Sequence, residues 1–256
     1  MTPSRKWGGF SPALLAKQVL LVAGILAAWE WGVRSGVMAA YIYGQPSGIY
    51  AKARGLIASG ELLTHTWVTA QEAVAGFLIG STLGSLCGLL LWLSPGFAAV
   101  VRPVMIAING VPKIALAPLI IVWFGIGMEA KIAIAAILTF IVSLIATFAG
   151  TREVDQDLIR LMRSLGASRF QTWRKVVAPA TLPWIVSALR LNVGFALIGA
   201  VVGEYISAKE GLGYLVYFSG TLYDLNAVWT GIFALMALAL VLDRCVTFIE
   251  QKARWA

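Results

Sequence analysis

REVDQDLIRLMRSLGASRFQTWRKVVAPATLP, residues 152–183, is a basic stretch with helical patterning set between long apolar runs. Val154, Leu158, Leu161, Met162 and Leu165 recur at helical spacing and predict one apolar stripe, with Asp155, Gln156, Arg160 and Arg163 on the remaining surface. Asp155 or Thr151 is placed to cap the start, and Gly166 to end the helix in a left-handed conformation. Ser168 is placed to cap a second short helix running through Lys175, and Pro179 and Pro183 mark the start of the next apolar run. The predicted product is helix, Gly-Ala-Ser break, helix, membrane. An apolar stripe on such a helix has two destinations, the bilayer interface or a groove in a partner protein, and the basic residues suit both.

The flanking runs decide the fold class. The chain has 256 residues, 59% of them hydrophobic and only 12% charged, against about 25% charged in soluble domains. It reads as an integral membrane protein. Six runs have the roughly 20 residues a spanning helix needs: about 15–33, 67–93, 98–124, 130–150, 180–206 and 226–248. Their continuity predicts helices, because barrel strands are shorter and alternate. The expected architecture is all-α, one membrane domain over 1–256, with the insert at 151–179.

Six spans put both termini and the insert on one side. That side carries Arg5, Lys6, Arg152, Arg160, Arg163, Arg169, Arg174, Lys175, Arg244, Lys252 and Arg254. The other carries Arg34, Lys52, Arg54 and Lys209, with Lys131 at its border. Positive-inside bias therefore predicts cytoplasmic termini and a cytoplasmic insert, and the net charge of +8 calls for no nucleic-acid partner. The first span holds Lys17 and Glu30 at its ends without a clear small-x-small cleavage site, and reads as a retained helix. Cys87 and Cys245 fall inside spans, far apart and without histidine neighbours, a pattern that suits neither a disulfide nor a metal site. The single His65 reads as structural. The dipeptide Gly-Lys never occurs, so no phosphate-binding loop is present, and no hydrolytic motif appears.

Within the spans, Gly76, Gly80, Gly84 and Gly88 repeat every four residues, giving a smooth face for close helix packing. A neighbouring helix of the same chain is the expected occupant, with a dimer seam as the alternative. The third span gathers Asn109, Gly110, Pro112, Lys113 and Pro118, which predicts a kink or break. Lys113 is costly facing lipid, by about 2.5–3.5 kcal/mol, so it either faces a watery path or is satisfied near Glu129 and Lys131. Asn192 and Glu204 in the fifth span are further pathway or gate candidates, Glu204 also for docking an outer partner, while Arg190 reads as a structural brace for the insert.

The insert also resembles the cytoplasmic "EAA" loop of permease subunits of bacterial ATP-binding-cassette importers, through Gly166 with Val176 ten residues on and Pro179 thirteen on. RSLGASRFQTWRKVVAPATLPWIVSALR, GEYISAKEGLGYL and PLIIVWFGIGMEAK are similar to the nitrate, sulfonate, taurine and pyrimidine-precursor branch of those permeases. Arg160, Leu161 and Met162 stand where that pattern has Glu-Ala-Ala, and Ala178 replaces the usual Leu. The resemblance implies a type I importer permease that does no covalent chemistry. It further implies two permease chains, a homodimer being favoured, two cytoplasmic ATPase subunits that hold ATP and Mg, and an extracytoplasmic binding protein. The ATPase-coupling residues it implies are Leu158, Leu161, Met162, Leu165, Gly166, Ala167, Ser168 and Arg169. The transported solute would be small, and anionic or heteroaromatic. Membrane lipid surrounds the whole. The rival expectations are a self-sufficient ion-coupled secondary transporter and a membrane scaffold.

Overall fold

The computed structural model describes residues 12–207 and 209–253; Arg5, Lys6 and Arg254, which contribute to the orientation argument, lie outside the described residues. The chain order is α1 (Pro12–Arg34), α2 (Ala40–Tyr43), α3 (Pro46–Ala58), α4 (Glu61–Leu91), α5 (Pro95–Gly110), α6 (Ala117–Phe124) and α7 (Met128–Arg152). It continues with α8 (Gln156–Ser164), α9 (Arg169–Thr172), α10 (Ala178–Ser207), α11 (Leu212–Thr221) and α12 (Leu225–Ala253). Among the described residues five helices are long and apolar enough to cross a membrane, six if the bent α5–α6 pair counts as one span.

The break expected in the third span is present: α5 stops at Gly110, Lys113–Leu116 form a 3-10 turn, and the 113–124 segment leaves at 93°. Pro112 and Pro118 account for it, since neither can donate to a continuing helical ladder and Pro118 is tolerated in the first turn of α6. The second helix of the insert does not stop at Lys175. It runs through a π-helical turn, Trp173–Val177, straight into α10, so that residues 169–207 form one helix of 39 residues. In that turn the N–H of Ala178 bonds five residues back to Trp173, which absorbs one extra residue without ending the helix.

The centre of the molecule is the packing of α4, α7 and α10. Gly76, Gly80, Gly84 and Gly88 all face α7, within one chain. A Cβ at Gly80 would overlap the Thr139 hydroxyl and the Ala136 carbonyl, and one at Gly84 the Phe140 carbonyl. Thr139 uses that proximity, its hydroxyl reaching the Gly76 carbonyl at 3.1 Å. Leu83, Leu86 and Leu90 on the same helix α4 are about half exposed. Small residues sit inside and large apolar ones outside, because lipid is as apolar as leucine and helices associate through close backbone packing and hydrogen bonds instead.

Outside this core, α11 and α12 close one flank through Leu197, Leu212, Leu215 and Leu238, with Leu56 of α3. Helix α1 stands apart and is tied at its end: Glu30 accepts from the Ser47 N–H at 3.0 Å and the Gln45 amide at 2.8 Å, capping the start of α3. Trp29 meets Trp229 edge-on at 5.1 Å.

Candidate functional site

The insert is built as a rigid corner. Asp155 accepts from the Asp157 N–H at 2.8 Å and caps α8. At the other end Gly166 takes φ +74°, and the N–H groups of Gly166 and Ala167 reach back to Arg163 and Met162 at 3.0 Å. This pair of bonds is the αL-terminated end that glycine adopts without a Cβ penalty. Ser168 then opens α9 with a reciprocal cap: its hydroxyl accepts from the Gln171 N–H at 3.2 Å and its N–H donates to the Gln171 side chain at 2.7 Å.

The corner is fixed to the membrane core through the end of α4. The Trp173 indole donates to the Leu89 carbonyl at 2.9 Å, and Arg169 donates to the Trp92 carbonyl at 2.7 Å while lying over the Trp92 ring at 5.1 Å. Both acceptors lie at the C-terminal end of α4, Leu89 in its last turn and Trp92 as its cap, where carbonyls lack the usual i+4 helical donor and a cation complements the helix dipole.

The predicted stripe divides in two. Val154 precedes the helical cap, so helical spacing does not carry it onto the outer face; with Ile159 it is buried against Val177. Met162 is half-buried. Leu158, Leu161 and Leu165 form the outer edge, 47%, 54% and 72% exposed, and they are the residues left for another surface.

At the opposite end of the core lies a buried polar cluster that sequence reasoning missed apart from Glu204. Lys131 of α7 pairs with Glu72 of α4 at 2.9 Å, both buried. Glu204 of α10, 1% exposed, accepts from the Thr69 hydroxyl and from the Gly213 N–H, each at 2.6 Å. Thr69 in turn accepts from the Leu212 N–H at 2.7 Å, and the His65 Nδ1 accepts from the Gly211 N–H at 3.0 Å. The three leading N–H groups of α11 are therefore capped by side chains of α4 and α10. Gly211, at φ +116°, and Gly213 leave room for the Glu204 carboxyl, which a Cβ at either position would strike. Glu204 is thus not available on the surface of the chain as a docking group; burial places it as the anchor of α11. The proximity of Glu204 and Gly213 in GEYISAKEGLGYL was the one available signal. Nothing in the sequence joined Glu72 to Lys131, 59 residues apart.

The remaining candidates separate. Asn192 is fully buried between α4, α7 and α10, its amide donating to the Ser81 and Ser143 hydroxyls at 2.8 and 2.7 Å. Arg190 does not brace the insert but pairs with Glu250 of α12, its Nε at 2.7 Å. Lys113 stands at the break after α5, half-buried, with its ammonium 3.2 Å from the Asn109 side chain and 3.3 Å from its carbonyl. It is satisfied by the end of its own helix, not by Glu129.

A broken span, a helical bundle and a rigid corner with a free leucine edge define a multi-pass transport subunit. Residues 80–255 match the family described as "Binding-protein-dependent transport system inner membrane component", and the chain belongs to it. It is similar to a putative aliphatic sulfonates transport permease protein of Bacillus subtilis, 34% identical over 98% of this chain and 89% of that one. It is also similar to a riboflavin transport system permease protein of Chloroflexus aurantiacus, 32% identical over 95% and 91%. In fold it is close to the permease chain of the MetNI methionine ABC transporter, with a TM-score of 0.68 at 22% identity, covering 76% of this chain and 97% of that one. The chain is accordingly an inner-membrane permease subunit of an ATP-driven, binding-protein-dependent importer, not an enzyme in itself, and the secondary-transporter and scaffold expectations fall away.

Proposed function

We propose that two copies of this chain form the pathway, that the corner at 155–169 docks in grooves of two cytoplasmic ATPase subunits holding ATP and Mg, and that an extracytoplasmic binding protein delivers a small anionic or heteroaromatic solute at the face carrying α11. The leucine edge carries the reading. Leu158, Leu161 and Leu165 project from a helix whose other face is locked to the core, and an apolar edge held at a fixed angle suits a protein groove better than a fluid interface. Termini and corner would then lie on the cytoplasmic side, a placement the distribution of Lys and Arg supports. Coupling residues would be Leu158, Leu161, Met162, Leu165, Gly166, Ala167, Ser168 and Arg169. The named relatives differ in solute, so the solute class rests on this chain's own residues: Asn109 and Lys113 place a half-buried cation at the break of α5–α6, where an anion would be attracted.

The permease would work as a two-packing switch biased from each face. Leu161→Asp sets a charge on the leucine edge and is expected to abolish solute-stimulated ATP hydrolysis in the reconstituted complex while the permease stays inserted. A mutant that co-purifies with the ATPase and responds normally to loaded binding protein would refute the docking. Lys113→Met is expected to reduce uptake of an anionic solute more than of a neutral analogue; equal losses would remove Lys113 from the pathway.

A further inference from the structure

Two guanidinium groups with no part in the importer reading, those of Arg102 and Arg152, share one crevice with the Arg169 of the coupling corner. Arg102 of α5, Arg152 at the end of α7 and Arg169 at the start of α9 line a cleft of about 290 Å³. Arg102 and Arg152 also line a second cleft of about 260 Å³ that continues between α5 and α7. No Asp or Glu lines either cleft. Arg102 and Arg152 make no salt bridge among the described residues, as is also true of Arg54, Arg163 and Arg174, but these two alone share a cleft with a third arginine. Arg169 is held in place from behind by the Trp92 carbonyl and ring. Beyond the arginines the walls turn apolar, with Met105, Ile106, Ile145 and Phe148.

We propose that this crevice binds an anionic phospholipid, its phosphate among Arg102, Arg152 and Arg169 and an acyl chain between α5 and α7. Charge and shape both select that occupant. Unpaired guanidiniums match phosphate oxygens in geometry as well as sign. They stand at the membrane end that carries the coupling corner, where headgroups lie, and the adjoining cleft offers hydrocarbon to a chain that has nowhere else to go. A free anion would use the arginines and leave the apolar cleft unfilled; a second protein copy would bury three uncompensated cations. Because Arg169 opens α9, the bound headgroup would touch the coupling corner itself, and lipid composition would bias the switch.

The test is native mass spectrometry of the detergent-solubilised full chain, delipidated and then titrated with phosphatidylglycerol or with phosphatidylcholine of the same acyl chains. Phosphatidylglycerol is expected to bind about tenfold more tightly, and the Arg102→Gln/Arg152→Gln variant to lose that preference while its phosphatidylcholine binding stays unchanged, which also shows that it is folded. Arg34→Gln, at the other end of the molecule, is expected to keep the preference. Equal binding of the two lipids, an undiminished preference in the double variant, or displacement by excess inorganic phosphate alone would overturn the proposal. So would a preference present in monomers and absent from dimers, which would assign the crevice to a second copy.

Discussion

The seam between α4 and α7 and the limb formed by α5 and α6 are similar in apolar content and opposite in construction. In the seam, glycines bring two backbones together, and Thr69, Glu72, Ser81, Lys131, Thr139 and Ser143 are buried beside small and aliphatic residues such as Ala73, Ala135 and Leu138. In the limb, Val100, Val104, Ile106, Val122 and Trp123 are more than half exposed, and a Cβ at Gly96 or Gly110 would meet nothing within 4 Å. Hydrophobicity therefore does not locate the core of this protein. Backbone proximity and polar satisfaction do, as expected where lipid competes for every apolar surface.

The largest effect should come from placing bulk in the seam. Gly80→Leu is expected to destabilise by more than about 3 kcal/mol, because backbone on α7 cannot yield to it, and to give aggregated protein on size exclusion. Gly110→Ala in the limb should stay within about 0.5 kcal/mol of wild type. If the two variants melted alike, the contrast between seam and limb would be void.

The two lysines sharpen the same contrast through charge. Lys131→Met leaves the buried Glu72 without its partner and is expected to cost about 3 kcal/mol, read as a lowered melting temperature. Lys113→Met, on the exposed limb, should change stability by less than about 0.5 kcal/mol. Similar losses would mean that Lys113 is buried by something the single chain does not show.

Asn192→Ala should cost about 1–2 kcal/mol, since interhelical hydrogen bonds within membranes are individually modest. A smaller loss than at Asn192 belongs to the loop before α12. Partial burial tends to raise the Asp224 carboxyl, but the Lys52 ammonium at 2.7 Å and the Ala227 N–H outweigh it and hold its pKa below the ordinary value. A lowered carboxylate stabilises fully above its unfolded pKa and ceases to do so as pH falls through the folded one. Asp224→Asn, which retains the helix cap, is therefore expected to lose about 0.2–1 kcal/mol at neutral pH and nothing in acid, by melting curves across pH. A difference that persisted at low pH would trace to the cap instead of the charge.

What the sequence showed was what has a local period. Six apolar runs, the glycine repeat and the cap residues Asp155, Gly166 and Ser168 all declare themselves within one or two helical turns. The misread features depend on partners distant in sequence or on subtler backbone choices. Val154 fell out of the stripe because a cap interrupts the period. Helices α2, α3 and α11 are too short and mixed to stand out, and α11 exists through caps lent by His65, Thr69 and Glu204. Helix 169–207 continued past Pro179 because a π-helical turn took up the misfit, which no composition signals.

That unbroken helix has a mechanical meaning. At 1.5 Å per residue its 39 residues form a single shaft of about 57 Å, with Arg169 at one end and Glu204 near the other. A push on the foot of the shaft, where an ATPase would act, can dissipate at the π-helical turn beside it and at Pro183, which removes one rung of the helical ladder. The same motion must tug on the carboxyl that anchors α11, so opening at the far face becomes a matter of whether one hydrogen-bonded cap keeps its grip.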